Sequence, residues 1–143
     1  MIIRKIDSSD IVSLNNLHKK TFNQDFDFNN YAEEKIFHYG ILMEDNGQII
    51  GYLVSQLVFE IGDLFYIAID ATRQGKGYGL ELMNRFISDA KSMAVETISL
   101  EVRISNQAAI ALYEKCGFSR AIVRKNYYSD GEDALLMVYS LNK

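Results

Sequence analysis

The chain of 143 residues contains no proline, no tryptophan, one cysteine and two histidines. Each scarcity removes a class of protein. With Cys116 alone, an internal disulfide is impossible, which fits a reducing compartment. His18 and His38 share no ligand-like spacing with Cys116, so no structural zinc and no other metal is expected. No apolar run is long enough to span a bilayer, and no basic-then-apolar signal segment opens the sequence as given. The expectation is a cytoplasmic protein without membrane association. A formal net charge of −4 argues against broad nucleic-acid binding. Repeats, low-complexity tracts and linkers are all missing, so residues 1–143 are expected to fold as one domain.

What is present reads as alternating strands and helices. Ile2 to Ile6 predicts a short strand, followed by a helix from about Asp10 capped by Asp7-Ser8-Ser9, with Ile11, Leu14 and Leu17 on one face. Thr21 to Asn30 mixes phenylalanine with Asn and Asp without a period and predicts a loop, then a short helix over 32–36. Residues 38–44 and 48–59 predict two strands joined at Asp45-Asn46-Gly47, a hairpin signal. A fourth strand is expected over 63–70 and a long helix over 77–94, with Leu80, Met83, Ile87, Ala90 and Ala94 at helical spacing as core. Thr97 to Arg103 alternates like a strand, and Ser105 onward predicts a helix closed by Gly117. Two last strands, 118–127 and 133–141, flank a turn at Ser129-Asp130-Gly131. The fold class is therefore mixed α/β. Hairpins make the sheet mainly antiparallel, and the crossover from 63–70 to 97–103 adds a central parallel pair.

The chemistry is concentrated at Arg73-Gln74-Gly75-Lys76-Gly77-Tyr78-Gly79-Leu80, where the fourth strand empties into a glycine-rich turn and a helix begins. A helix start offers unpaired N–H groups and the positive end of the dipole to an anion, and glycine lets the backbone approach it. The plainer reading is a turn that needs unusual backbone angles. No Gly-Lys here is followed by Ser or Thr, and Leu80 stands where a dinucleotide fingerprint wants glycine, so neither familiar phosphate motif applies.

The pattern Gln74-x-x-Gly77-x-Gly79 resembles the GNAT acetyltransferase superfamily. The likeness continues in Ile67-Ala68-Ile69-Asp70, in Leu100-Glu101-Val102-Arg103-x-Ser105-Asn106, and in Ala109-Ile110-Ala111-Leu112-Tyr113-Glu114-x-x-Gly117-Phe118. Asn126-Tyr127-Tyr128 and Asp130-Gly131-Glu132-Asp133-Ala134 make it most similar to the RimI branch, the ribosomal-protein-alanine N-acetyltransferases. The resemblance implies acetyl-CoA as cosubstrate, held where the central parallel strands splay. Gln74, Gly75, Lys76, Gly77, Tyr78, Gly79 and Leu80 would cradle its pyrophosphate. The backbone of Ile67, Ala68 and Ile69 would pair with its pantetheine arm and meet the oxyanion, and Asn106 would bind the arm by its amide. It also implies Glu101 as general base and Tyr113 as general acid. Tyr127 and Tyr128, at the last hairpin, are candidates for walling the slot that admits the acceptor.

Each of these residues has a plainer role open to it. Alternation alone puts Glu101 on the solvent face of its strand. Tyr113 could be a core tyrosine, Asn106 an ordinary helix cap, and Tyr127 and Tyr128 half-buried strand residues. Cys116 and the Met83 stripe read as core. The branch often carries a proline–tryptophan pair between its first two helices; here Phe22 to Phe28 stands instead, a change on the acceptor side. The expected acceptor is a protein N-terminus, such as a ribosomal protein beginning with alanine. A small amine is the rival, with Asp25, Asp27, Glu33 and Glu34 as its acidic recognition groups. A non-catalytic coenzyme A-binding domain is the second rival. The sequence leaves a monomer or a weak dimer open.

Overall fold

The computed structural model describes residues 1–33 and 35–141. In chain order it contains β1 (Ile2–Lys5), α1 (Ile11–Phe22), α2 (Asn29–Ala32), β2 (His38–Asp45), β3 (Gln48–Val58), β4 (Ile61–Ile69), α3 (Tyr78–Ser92), β5 (Thr97–Arg103), α4 (Gln107–Cys116), β6 (Ser119–Arg124) and β7 (Ala134–Ser140). The strands form one seven-stranded sheet in the order β1-β2-β3-β4-β5-β7-β6. All neighbours are antiparallel except β4 and β5, which α3 connects as a crossover. The expected mixed α/β sheet with a central parallel pair is therefore what the chain adopts.

Each face of the sheet carries its own core, because strand side chains alternate. Leu82, Met83, Phe86 and Ala90 of α3, with Ile110 and Tyr113 of α4, pack on Leu53, Ile98, Leu100 and Met137. On the other face Leu14 and Leu17 of α1 and Tyr31 of α2 pack on Leu42, Tyr52, Val54 and Ala68. The buried stripe of α3 is thus rotated from the expected one: Leu80 and Ile87 lie at its margin. Ala94 lies beyond the helix with φ of 63°, a left-handed residue after the last turn.

Two local differences have clear causes. The short helix expected over 32–36 forms over 29–32, because Asp27 accepts bonds from the Asn29 backbone (3.0 Å) and side-chain amide (2.7 Å) and starts it early. Buried Phe28 and Tyr31 anchor it, whereas Ile36 is 77% exposed. The aperiodic phenylalanines of the 21–30 stretch join the core: buried Phe28 and partly buried Phe22 and Phe26 gather around His18, at ring distances of 4.8 Å for Phe22, 5.4 Å for Phe26 and 6.0 Å for Phe28. At the far end β6 stops at Arg124, short of the expected 127. Asn126 takes φ of 53°, and its N–H turns to the Asp133 carboxylate at 2.9 Å instead of a strand partner.

The feature that makes the site is the end of the parallel ladder. β4 and β5 pair only from Ile61 opposite Thr97 to Leu64 opposite Leu100. On its other side β4 has Leu64 opposite Ser55 but Tyr66 opposite Val54, so Phe65 is an extra, bulged residue. A bulge bends and twists its strand, and this one sits immediately after the last β4–β5 pair. Ser99 donates to the Asp63 carboxylate at 2.8 Å, fastening the two strands just before they part.

His18 is fully buried; its Nδ1 meets the Tyr52 hydroxyl at 2.5 Å and its Nε2 has no partner among the described residues. Desolvation pulls its pKa below the ordinary value and Asp25 raises it only in part, so it folds as the neutral ring. The unfolded chain therefore binds the proton first, and stability falls as pH drops below about 6.5, by at most about 1.4 kcal/mol per unit. Chemical denaturation between pH 8 and 5 should show this loss in the wild type and a flatter profile in His18→Leu, whatever that variant's stability at pH 8.

Candidate active site

The glycine loop is built to leave donors free. After β4, Asp70 accepts from Thr72 N–H at 3.0 Å and caps a 3-10 turn over Ala71–Arg73. The Gln74 side chain donates back to the Ile69 carbonyl at 3.1 Å. Gly75 and Gly77 then take φ of 79° and 85°, and Gly77 caps α3 with no side-chain acceptor over the first turn. A Cβ at either glycine would meet no protein atom within 4 Å. The backbone angle favours glycine there, and the space in front of it is open. Gly79 differs: a Cβ would lie 3.3 Å from Leu112 Cδ2, so its role is the close packing of α3 on α4. Arg73 does not point its charge freely at the loop, since it pairs with Asp45 at 2.8 Å and ties the loop to the β2–β3 turn. Lys76 is exposed on the loop.

Where β4 and β5 part lies a cleft of about 730 Å³ that runs from this loop to Glu101 and Tyr128. Asp70 N–H donates to the Ile50 carbonyl, and Ile69 faces Gly51 in the next register position. Ladder alternation then commits the backbone of Ala68 to β3 and leaves that of Ile67 and Ile69 turned to the cleft. Asn106 caps α4 by accepting from Ala109 N–H at 3.1 Å through Oδ1, which leaves its amide N–H pair for another partner. Cap and ligand group are compatible in this residue. Of the loop and strand positions singled out from the sequence, Ile67, Ala68, Ile69, Gln74, Gly75, Gly77, Tyr78, Gly79 and Asn106 line the cleft, while the side chains of Lys76 and Leu80 do not.

Glu101 and Tyr113 line the same cleft. Glu101 lies on the sheet face opposite Leu100 and Val102, its side chain 30% exposed, and it accepts from the Tyr127 hydroxyl at 3.0 Å and pairs with Arg124 Nε at 2.8 Å. Tyr113 is buried on the α4 side, and that burial pushes its phenol above the usual range. Tyr127 and Tyr128 are loop residues, not strand residues. Their rings meet edge-to-face at 5.1 Å, and the Arg103 guanidinium stacks 4.1 Å over Tyr128. Arg103 also reaches Asp130 (2.8 Å) and Glu132 (2.9 Å), and Glu132 accepts from Ser105 N–H at 2.9 Å. The 125–133 loop is thereby braced against the end of β5.

The sequence profile described as the acetyltransferase (GNAT) family matches residues 9–118. The chain belongs to the GNAT acetyltransferase family. The [ribosomal protein bS18]-alanine N-acetyltransferase of Escherichia coli K12 is 41% identical over 103 residues, 70% of each chain. The enzyme of that name from Haemophilus influenzae is 37% identical over 131 residues, 89% of this chain and 87% of its own. A crystal structure of the ribosomal-protein-S18-alanine N-acetyltransferase from Escherichia coli superimposes with a TM-score of 0.88 at 31% identity, covering 99% of this acetyltransferase and 94% of that chain.

Sequence reasoning placed Phe22 on the acceptor side but missed the rest of the far wall of the cleft. Thr21 and Phe22 at the end of α1, with Phe65 and Tyr66 of β4, line it. The GNAT loop generates a direct prediction. Gly77→Val strains a left-handed residue and fills the space a phosphate needs, so calorimetry should find acetyl-CoA binding weakened at least tenfold, about 1.4 kcal/mol.

Proposed function

We propose that this acetyltransferase moves the acetyl group of acetyl-CoA onto the N-terminal α-amine of a protein, with ribosomal protein bS18, beginning in alanine, as its acceptor. The names of the relatives at 41% and 37% identity supply the acceptor. The observation in this chain that supports the chemistry is the position of Glu101, the one carboxylate among the described residues lining the cleft.

The donor fits what the cleft offers. Uncapped N–H groups of α3 and the space before Gly75 and Gly77 suit a pyrophosphate, and the outward backbone of Ile67 and Ile69 suits an extended amide arm. Acetyl-CoA, as substrate, supplies a thioester carbonyl carbon open to attack. Glu101, alone or through a water, takes the proton that the ammonium must lose. The neutral amine forms its bond to carbon, its nitrogen releases one further proton to water, and the carbon–sulfur bond breaks. Tyr113 gives its proton to the departing sulfur and is reprotonated from solvent. The raised phenol keeps that proton at any physiological pH. Transfer from phenol to a thiol of pKa near 8.5 in water is uphill, and a thiolate leaving into the same buried pocket is itself made more basic by desolvation. A cleft-facing N–H of β4 suits the carbonyl oxygen as a hydrogen-bond donor.

The acceptor's own acidity favours an α-amine. Its pKa of about 7.7–8.0 makes deprotonation at pH 7 cost about 1 kcal/mol, against about 4.6 kcal/mol for a lysine side chain. One glutamate meets the smaller demand. The small-amine rival needs several acids in the cleft, and the described candidates are elsewhere: Asp27 starts α2 and Glu33 pairs with Lys35 at 3.6 Å. Asp25 does not line the cleft, and Glu34 lies outside the described residues. A non-catalytic binding role leaves the pairing of a cleft carboxylate with a buried phenol without a purpose. The single cysteine agrees with a reaction in the cytoplasm.

Glu101→Gln should lower turnover most at pH 7 and recover partly as pH rises, because free amine then forms without a base. Tyr113→Phe should lower kcat with acetyl-CoA affinity nearly intact, and the wild-type rate should rise to about pH 8 and hold to about pH 10, where an ordinary phenol would begin to ionise. Wild-type turnover in both variants would refute the assigned roles.

The acceptor is tested with peptides. One with a free N-terminal alanine should react at least tenfold faster than the same peptide blocked at its N-terminus and carrying an internal lysine. Comparable rates, or rapid acetylation of spermidine with neither peptide touched, would refute the α-amine reading.

A further inference from the structure

Both oxygens of Glu101 are engaged before any acceptor arrives. Arg124 Nε holds Oε2 at 2.8 Å, and the Tyr127 hydroxyl donates to Oε1 at 3.0 Å. The two partners differ in kind. Tyr127 is neutral and adds no charge, whereas Arg124 brings a full positive charge to the atom that an α-ammonium must approach. Its side chain is 48% exposed at the end of the edge strand β6, so water is ready to receive it when it leaves.

Consider what an arriving N-terminus meets. An ammonium and a guanidinium on one carboxylate repel each other at contact distance, and a single negative charge satisfies only one of them fully. No second carboxylate among the described residues lines the cleft to accommodate the extra cation. Exposed pairs of this sort are weakly held in water, so the protein side of the contest is the one that gives way. The neighbouring loop does not share this freedom. Arg103 stacks on Tyr128 and bridges Asp130 and Glu132, which keeps the tyrosines in place while Arg124 moves.

We propose that Arg124 is a positioning residue that holds Glu101 in the acceptor-free enzyme as a stand-in for the substrate ammonium, and that an arriving protein N-terminus takes the carboxylate from it by charge competition. The inference rests on Glu101 being the group that receives the acceptor. It gives the site a preference for acceptors that arrive as cations. A neutral N-terminus, such as that of the acetylated product, cannot compete for Oε2, and Arg124 is free to pair with Glu101 beside it.

The test is steady-state kinetics at saturating acetyl-CoA with an alanine-initiated peptide, together with inhibition by the same peptide already acetylated. In Arg124→Gln the acceptor KM should fall two- to fivefold, the upper figure being about 1 kcal/mol at 1.4 kcal/mol per decade, with the effect on KM rather than kcat. Arg124→Lys should return KM most of the way to the wild-type value, because it keeps the competing charge. The inhibition constant of the acetylated peptide should not follow the acceptor KM. In a Glu101→Gln background, replacing Arg124 should change KM no further, since the contested charge is gone. An unchanged KM in Arg124→Gln overturns the proposal. So does a kcat loss of tenfold or more at constant KM, which would make Arg124 a fixed orienter of Glu101. Equal tightening of the acetylated peptide also overturns it, because Arg124 would then be only a steric obstacle. Failure of the underlying base assignment reads differently: Glu101→Gln alone would keep wild-type turnover.

Discussion

Two neighbouring strands stop pairing halfway along their length, and the rest of the site follows from that. β4 and β5 share four register pairs and then separate at Leu64 and Leu100. The bulge at Phe65 supplies the bend, and the Ser99–Asp63 bond keeps the split from running back into the sheet. Parting the strands exposes backbone groups that a continuous sheet would have satisfied, and buried backbone groups must find partners. The cleft is therefore lined with main-chain donors and acceptors of Ile67 and Ile69, arranged as a strand would present them. The same parting brings the end of β4, which feeds the glycine loop, into one cavity with Glu101 on β5.

The two ends of this cleft are stabilised by different physics. Around the loop, backbone conformation dominates: left-handed Gly75 and Gly77, an uncapped helix start, and Gly79 letting α3 sit against Leu112. Around Glu101, charge dominates, through Arg124 on one side and the Arg103, Asp130 and Glu132 cluster on the other. These pairs are largely exposed and subject to salt. At the α1 wall of the cleft neither applies. There the aromatic nest of Phe22, Phe26, Phe28, Tyr52 and Tyr66 closes over a neutral His18.

Much of this was legible from local signals. Period-two alternation gave β5 its observed bounds, Asn46-Gly47 took the two positive φ values of a tight hairpin, and the glycine spacing located the loop. The misplaced pieces depend on side chains acting at a distance. Asp27 moved α2, Asp133 shortened β6, and the buried arc of α3 was decided by what the sheet presented to it. The pairing of Glu101 with Arg124 joins residues 23 positions apart (124 − 101) on strands that are not neighbours, and no local pattern announces it. The nest around His18 draws from α1, the loop after it, β3 and β4. Its members look unremarkable one at a time.

The cleft opens toward both faces of the sheet, with the glycine loop and α4 on one side and the end of α1, Tyr66 and Glu101 on the other. Two molecules can thus reach the same gap from opposite directions without crossing paths. The surfaces that greet them share no core cluster. Substitutions along α1 and the following phenylalanines can retune one visitor while the reception of the other stays as it was, which makes the molecule two independently adjustable halves meeting at a shared slot.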